Sequence, residues 1–437
     1  MISGILPFST SILILGAGPA GLAAALAAAR QAELVTIIDE NPAPGGQIWR
    51  GGPARWKDRR AHTLWRQLAA CSNVRIVYGV RIVAAPGNHE FLLETSDGPQ
   101  KISWEKLIIC SGARELLLPF PGWTLPGVTG AGGLQALIKA GMPVEAKRVV
   151  IAGSGPLLLA VADTVRRAGG EVISIVEHRT TMELMKFFLA LLKAHRGKLW
   201  QALQLFWHLK YFHYRHDARV IKAHGEQRVR SVSLVHKGKT LELPCDFLAC
   251  GFGLTPNLEI ASLLACEIRN GHIAVNEKQA SSQPDIWAAG EACGIGGVDK
   301  ALAEGRIAGL GASGQLIDGR DSTKREQAQE FADLLNTCFA PDSDLRKLCR
   351  PDTLVCRCED VSAVQLAAHS DWRSAKLMTR AGMGACQGRI CGAACQFLFE
   401  WQAPGLRQPV FPTKTSTLAA IGLANGFATH ENNNDNH

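Results

Sequence analysis

One short pattern, present twice, most constrains how this chain can fold. Ile12-Leu13-Ile14-Leu15 is an uninterrupted apolar run of strand length. It leads into Gly16-Ala17-Gly18-Pro19-Ala20-Gly21 and an Ala- and Leu-rich helix to about Arg30. A second apolar strand, Leu34 to Ile38, ends at Asp39-Glu40. Strand, glycine turn, helix, strand and acid in this order form a dinucleotide-binding unit, and the context gives the glycine spacing its weight. Gly16 makes the tight turn, Gly18 lets the backbone approach a pyrophosphate, and Gly21 lets helix and strand pack closely. Pro19 and Ala20 open a helix whose N-terminus faces the phosphates. Asp39, with Glu40, is placed to bind ribose hydroxyls.

The second copy lies mid-chain. Arg148 to Ala152 reads as a strand, Gly153-Ser154-Gly155-Pro156-Leu157-Leu158 as the turn, and the helix stops at Gly169-Gly170. The next strand, Val172 to Val176, ends at Glu177. Here Leu158 stands where a small residue packs helix on strand, so the fold is expected while nucleotide binding is left open. Glu177 favours free ribose hydroxyls, and His178 with Arg179 favours a 2′-phosphate. NADH, NADPH, another adenine nucleotide or no nucleotide all remain compatible.

Composition narrows the function classes. A chain of 437 residues suggests two or three domains. Lys plus Arg at 47 against Asp plus Glu at 39 gives +8, spread without a basic run, which argues against nucleic acid as a partner. Met1 to Ala29 carries no charge, yet glycines and prolines break it into strand, turn and helix. It therefore reads as neither signal peptide nor transmembrane span, and a cytoplasmic protein is expected. Thirteen cysteines, an odd number, exclude a fully paired disulfide scaffold. From 180 to 215 runs a helical insertion in which Trp200, Phe206, Trp207, Tyr211, Phe212 and Tyr214 suggest packing on the second domain or a docking surface.

Further segments follow the two glycine motifs in a specific order. They are Pro44-Gly45-Gly46-Gln47, Cys110-Ser111-Gly112-Ala113-Arg114-Glu115, Cys250-Gly251-Phe252-Gly253, Ala288-Ala289-Gly290-Glu291 and Ala301-Leu302-Ala303-Glu304-Gly305. Together they resemble the two-dinucleotide-binding-domain flavoproteins, the class that includes thioredoxin reductase. The resemblance implies an α/β architecture of two Rossmann-like domains, the FAD domain being split by an inserted NAD(P)-type domain. It implies that Gly16, Gly18, Pro19, Ala20 and Gly21 cradle the FAD pyrophosphate and that Asp39 and Glu40 bind the adenosine ribose. Gly46, Gln47, Ser111, Gly112 and Ala113 would lie near the cofactor. Gly290 and Glu291, with Ala301, would contact its ribityl–phosphate region, Glu291 standing where the class usually has Asp. Gly153, Ser154, Gly155, Pro156, Leu157, Glu177 and Gly251 would form the second nucleotide site. Disulfide reductases of this class need a cysteine pair beside the flavin. None follows Gln47, and Cys245 and Cys250, separated from it by Pro244-bounded strand sequence, read as core residues.

Cys356-Arg357-Cys358 and, later, Cys386-Gln387-Gly388-Arg389-Ile390-Cys391 offer four thiolates at CxC and CxxxxC spacing. That set can hold an iron–sulfur cluster; four-cysteine zinc is the rival, though its usual knuckle is CxxC. Glycines around the later pair allow backbone N–H groups to reach cluster sulfides, and Arg357, Arg380 and Arg389 would offset the charge. The segment resembles the [2Fe–2S] domain of bacterioferritin-associated ferredoxin, with Cys356, Cys358, Cys386 and Cys391 at the metal-ligand positions and Cys395 a spare. The combination of both parts resembles one subunit of the opine oxidase, hydrogen cyanide synthase and proline or hydroxyproline dehydrogenase group. In that group a glycine- or D-amino-acid-oxidase-like flavoprotein subunit oxidises the C–N bond, sometimes with a small ferredoxin-like subunit. This chain would carry FAD and the [2Fe–2S] cluster and relay electrons, with no catalytic acid or base of its own. Two other readings stay open: a stand-alone NAD(P)H-dependent flavin reductase feeding the cluster, and a non-enzymatic redox or iron-responsive module. The expected layout is 1–125 and 246–320 for the two FAD-domain parts and 126–245 for the insert. A linker helix at 321–350, a small α-rich cluster domain with its extension at 351–427 and a disordered polar tail at 428–437 complete it.

Overall fold

The computed structural model describes residues 6–194, 197, 213–402 and 405–424. The aromatic stretch from Trp200 to Phe212 and the tail 428–437 lie outside the described residues.

The first sheet is built from β1 (Ser9–Leu15), β2 (Val35–Asp39), β3 (Val74–Tyr78), β4 (Arg81–Gly87), β5 (Glu90–Thr95) and β6 (Gly98–Ile109), in the order β3-β2-β1-β6-β5-β4. β3, β2, β1 and β6 run parallel, and β4 and β5 form an antiparallel flap on β6. The parallel strands are buried on both faces, which is why Ile12 to Leu15 and Val35 to Ile38 are continuous apolar runs rather than alternating ones. A seventh strand, Ile286–Ala288, returns from far along the chain and adds parallel to β6. The first fold is therefore split, and everything between is inserted.

The second sheet has five parallel strands in the order His213–Arg215, Glu171–Glu177, Arg148–Gly153, Phe247–Gly251 and Val128–Gly130. Phe247–Gly251 pairs with both Arg148–Gly153 and Val128–Gly130, so the second fold extends to Gly251 rather than stopping at 245. Pro244 ends the preceding antiparallel strand, Lys239–Pro244, and not the core strand itself. Two short strands join the folds: Ala113–Glu115 leads out, Leu254–Pro256 leads back, and the two pair with each other.

After the split fold closes, a 21-residue helix, Gly319–Phe339, and a 3₁₀ turn, Ser343–Leu348, lead to a small domain. This domain has a two-stranded ribbon, Leu354–Cys356 with Val361–Ser362, and the helices Ala363–Ala367, Trp372–Thr379 and Cys391–Phe399. Its core holds Cys391, Ala394, Cys395, Trp372 and Trp401. It docks on the second fold: Leu345 and Leu348 enter that fold's apolar core, and the Trp123 indole N–H donates to the Leu354 carbonyl at 2.6 Å. The chain then crosses back to the first fold. Val410 donates its N–H to Val83 O, and Glu94 accepts from Thr413 Oγ1, Lys414 N and Thr417 Oγ1.

Candidate functional site

The first glycine loop is shaped by three close approaches. A Cβ on Gly16, at φ +102°, would meet the Cys110 carbonyl oxygen at 2.4 Å, and one on Gly21 would meet Gly16 O at 1.9 Å. Neither position tolerates a side chain. Gly18 differs: the nearest atom to a Cβ there is Gly46 Cα at 3.8 Å, an ordinary contact with the Pro44-Gly45-Gly46 turn, and no side chain of the protein lies over it. Gly45 N–H donates to Ala17 O at 2.7 Å and holds that turn against the loop. The helix Pro19–Ala28 begins with proline at its first turn and no side-chain cap, leaving its N-terminal amides available to an anion.

Gly290 brings the distant part of the site into place. It sits at φ +79°, and a Cβ would lie 2.9 Å from Ala20 Cβ and 3.7 Å from Ala301 Cβ. The helix Gly297–Ala312 packs directly on Pro19–Ala28. At Gly305 and Gly309 a Cβ would strike the carbonyl oxygens of Ala20 and Ala24 at 2.1 and 2.2 Å. The Ala301–Gly305 motif is visible in the sequence, but nothing in it assigns Glu304 a role. Its buried carboxylate accepts the Gly290 N–H at 2.9 Å and pairs with buried Lys300 at 2.8 Å, while Lys300 donates to Gly294 O. This pair locks the Gly290 turn. Glu291 accepts from Gly297 N at 2.7 Å through Oε1, but its Oε2 is buried with no partner in the protein. Burial raises the Glu291 carboxyl above the usual carboxylate range. An unpaired buried acceptor beside an open glycine cradle fits a ligand hydroxyl.

Other expected residues take different places. Asp39 turns its carboxylate inward, accepting from Ala17 N at 2.7 Å, Asn41 N at 2.7 Å and Asn41 Nδ2 at 2.8 Å. It thus braces the glycine loop from within the protein. Glu40 points outward to Arg81 at 3.2 Å. Gln47 is exposed and accepts from Arg50 at 2.8 Å. Ser111 Oγ donates to Asn257 O at 2.7 Å, Asn257 Nδ2 donates to Ser111 O, and Gly112 O accepts from Asn257 N. Ala113 lies in the joining ribbon, opposite Pro256.

In the second loop Gly153, at φ +147°, abuts Gly251 O, which a Cβ would meet at 2.0 Å. Leu158 is fully buried, and its Cδ2 fills the space over Gly251, so a glycine on the neighbouring strand accommodates the leucine at the third position. Pro156 sits just before the helix Leu157–Arg167. Glu177 is spent within the protein: it accepts from Ser154 Oγ at 2.7 Å, Gly155 N at 2.9 Å and Arg179 N at 3.0 Å. Cys245 and Cys250 are buried in this fold's core, and burial pushes both thiols up, Cys245 to about 12.

The four cluster-type cysteines converge. Cys356 ends the ribbon strand, Cys358 follows in its turn, Cys386 lies in the glycine-rich loop, and Cys391 starts the helix Cys391–Phe399. The Cys391 thiol hydrogen-bonds with both Cys356 and Cys386, and Cys386 also interacts with Cys358, none of the four being in a disulfide. Backbone amides of Cys358, Glu359 and Gly382 point at the Cys356 sulfur, and those of Gly388 and Ile390 at Cys386. With the Cys391 hydrogen bond as the largest cause, the Cys356 and Cys386 thiols are held below the usual thiol range, while Cys391 is raised. Among the described residues no group of three His, Cys, Asp or Glu side chains is arranged to hold a metal ion. Cys395 is buried in the small domain's core and its thiol is pushed up to about 12 by burial.

The expected arginines divide. Arg357 lies over the Trp123 ring at 5.6 Å, and Arg380 pairs with Glu359 at 2.9 Å. Arg389 links the cysteine loop to the first fold. It donates to Cys386 O at 3.2 Å and approaches Glu259 at 3.5 Å, and Glu259 pairs with Arg114 at 2.7 Å. Arg114 in turn donates to Asn257, the partner of Ser111.

These features together are those of a split flavin-type fold. The chain matches the Pyridine nucleotide-disulphide oxidoreductase family over residues 10–305. It belongs to that family. It is an FAD-dependent oxidoreductase, although the buried Cys245 and Cys250 are no flavin-side cysteine pair. It is 31% identical to hydrogen cyanide synthase subunit HcnB of Pseudomonas protegens, over 94% of this chain and 97% of that one. It is 27% identical to an opine oxidase subunit of Rhizobium meliloti, over 94% of this chain and 87% of the relative. In fold it is similar to L-proline dehydrogenase from P. horikoshii, with TM-score 0.68 and 19% identity over 94% of this chain and 79% of that one. The thioredoxin reductase of T. acidophilum covers 70% of this chain with TM-score 0.53, 20% identity and 99% of its own length aligned. Among the described residues no helix is long and apolar enough to cross a membrane.

Proposed function

We propose that this chain is the FAD- and [2Fe–2S]-bearing subunit of a heteromeric amine or imino-acid dehydrogenase, relaying electrons from a partner flavoprotein. The observation that carries the reading is the coexistence of a first glycine cradle, with the unpaired Glu291 oxygen, and a four-thiol nest tied to the same split fold through Arg389 and Glu259. Near-full-length similarity to hydrogen cyanide synthase subunit HcnB and to the Rhizobium opine oxidase subunit, both named as subunits, supports the presence of a partner subunit.

Gly16, Gly18 and the amides opening Pro19–Ala28 would hold the FAD pyrophosphate, Asp39 would face the ribose, and Glu291 the ribityl chain. Cys356, Cys358, Cys386 and Cys391 would hold the cluster. When bound, the flavin supplies two-electron and the cluster one-electron exchange. The protein's own contribution is positional. The Glu304–Lys300 pair fixes the Gly290 turn, and Arg389, Glu259 and Arg114 fix the cysteine loop against the Ser111–Asn257 contact. Four converging thiols match the ligand number of a [2Fe–2S] cluster, and the amides aimed at Cys356 and Cys386 would stabilise thiolate charge.

The test is an absorption and electron-paramagnetic-resonance spectrum of the chain purified without oxygen. Flavin and about two irons per chain are expected. Cys386→Ala should remove the iron signal and leave the flavin, while Cys395→Ala keeps both. Zinc in place of iron, or full amine-dehydrogenase activity from this chain alone, would sink the reading.

A further inference from the structure

The second glycine loop is covered by this chain's own linker. Phe339, the last residue of Gly319–Phe339, sets its ring against Gly155: a Cβ on that glycine would meet Phe339 Cγ at 3.3 Å and Cβ at 3.5 Å. Gly155 is the counterpart of Gly18, the position where the backbone must approach a pyrophosphate. Phe339 is itself held by an edge-to-face contact with Phe187, ring centroids 4.8 Å apart. Beyond it, the Arg179 guanidinium donates to the Ala340 carbonyl, and Pro341 lies 3.7 Å from where a Cβ on Gly253 would stand. Arg179 is the side chain that the sequence offers to a 2′-phosphate; here it binds the linker and Glu183. Behind the loop, the Gly155 amide is given to Glu177. What remains is a cavity of ≈70 Å³ lined by residues including Ser154, Arg219, Ala340 and Asp342. An adenine nucleotide needs several times that volume, in the range of about 300 Å³ or more for ligand pockets.

We propose that Phe339, with residues 340–342, closes the second dinucleotide fold to nicotinamide nucleotides and makes that fold the socket that seats the cluster domain. The two roles use one segment: three residues past the strap, Leu345 anchors in the same fold's core, and Leu348 follows. Entry of a nucleotide would therefore have to lift the tether of the four-cysteine domain. The chain takes no electrons from NADH or NADPH, and its electron donor is of another class. This closure stands whether or not the cysteines hold iron.

The test uses the full-length, FAD-loaded chain, with NADPH, NADH and ADP-ribose as probes in equilibrium dialysis and amide hydrogen exchange over residues 339–345. For the wild type, no saturable binding up to millimolar concentration and unchanged exchange are expected. Phe339→Gly should bind ADP-ribose at least tenfold more tightly than the wild type, and Phe339→Leu should restore the closed behaviour. Saturable NADH or NADPH binding by the wild type with loss of protection at 339–345 overturns the proposal, as does ADP-ribose affinity unchanged by Phe339→Gly. Nucleotide binding that leaves 339–345 protected places the nucleotide elsewhere and upholds the closure. Should Phe339→Gly fail to fold, the wild-type exchange measurement alone decides.

Discussion

The two glycine loops of this chain share a backbone plan and differ in what stands before them. At Gly18 the nearest atom ahead is Gly46 Cα at 3.8 Å, no side chain covers the loop, and the buried Glu291 oxygen is unpaired. At Gly155 the same space holds the Phe339 ring, and Glu177 uses both oxygens on the loop itself. The contrast teaches that a dinucleotide fold and a dinucleotide site are separable. The βαβ unit persists because its strands and helix bury apolar surface, whereas the site persists only while nothing of the protein fills it.

The sharpest break in this comparison comes from paired substitutions. Gly21→Val drives a side chain into Gly16 O, so flavin content should fall below roughly a tenth of wild type with a loss of at least about 3 kcal/mol in stability. Gly155→Ala strains a residue at φ +95° and should cost about 1–2 kcal/mol while leaving the flavin absorbance intact. Equal flavin loss in both would erase the distinction.

Next in size is Glu291→Gln. Replacing the unpaired oxygen's carboxylate should weaken flavin binding about tenfold, roughly 1.4 kcal/mol, read by fluorescence on reconstitution of stripped protein. Smaller still, Ser154→Ala removes one donor to Glu177 and should lower unfolding free energy by about 1 kcal/mol with flavin affinity unchanged. A change in flavin affinity would mean that the two loops communicate.

The remaining test is a pH dependence, which reaches its full size only at acid pH. Burial, with Arg219 and Arg179 nearby, depresses His178 from 6.5 to about 3. Between those values the unfolded chain binds more protons than the folded one. His178 therefore contributes a loss of stability as pH falls from 6.5 towards 3, and none above. Chemical denaturation of His178→Gln across that window should show a shallower slope than the wild type. An identical slope would mean that the imidazole beside the closed cavity titrates normally.

The parts legible in the sequence were those written as local pattern. Gly16, Gly21 and Gly153 announce backbone contacts that exclude a Cβ, and spacing grouped Cys356, Cys358, Cys386 and Cys391. Less visible were contacts between residues far apart in the chain. Glu304 lies inside a recognisable motif, yet its reach to Gly290 depends on the buried Lys300 beside it. The expected boundary at 245 cuts off a strand that pairing assigns to the second fold, which runs to Gly251. Asp39 and Glu40 look alike in sequence, and only burial turns one inward to Ala17 and the other out to Arg81.

By itself the sequence determined that two dinucleotide folds would form and that four thiols would be available, because apolar strand runs, glycine turns and ligand spacing act over a few residues. Only the tertiary structure decided which fold keeps an open site. That choice rests on where Phe339 and Arg389, about 50 residues apart, come to lie once Leu345 and Leu348 bury themselves in the second fold. The burial of apolar surface that seats the small domain is non-directional and long-range in sequence, so no local pattern announces it.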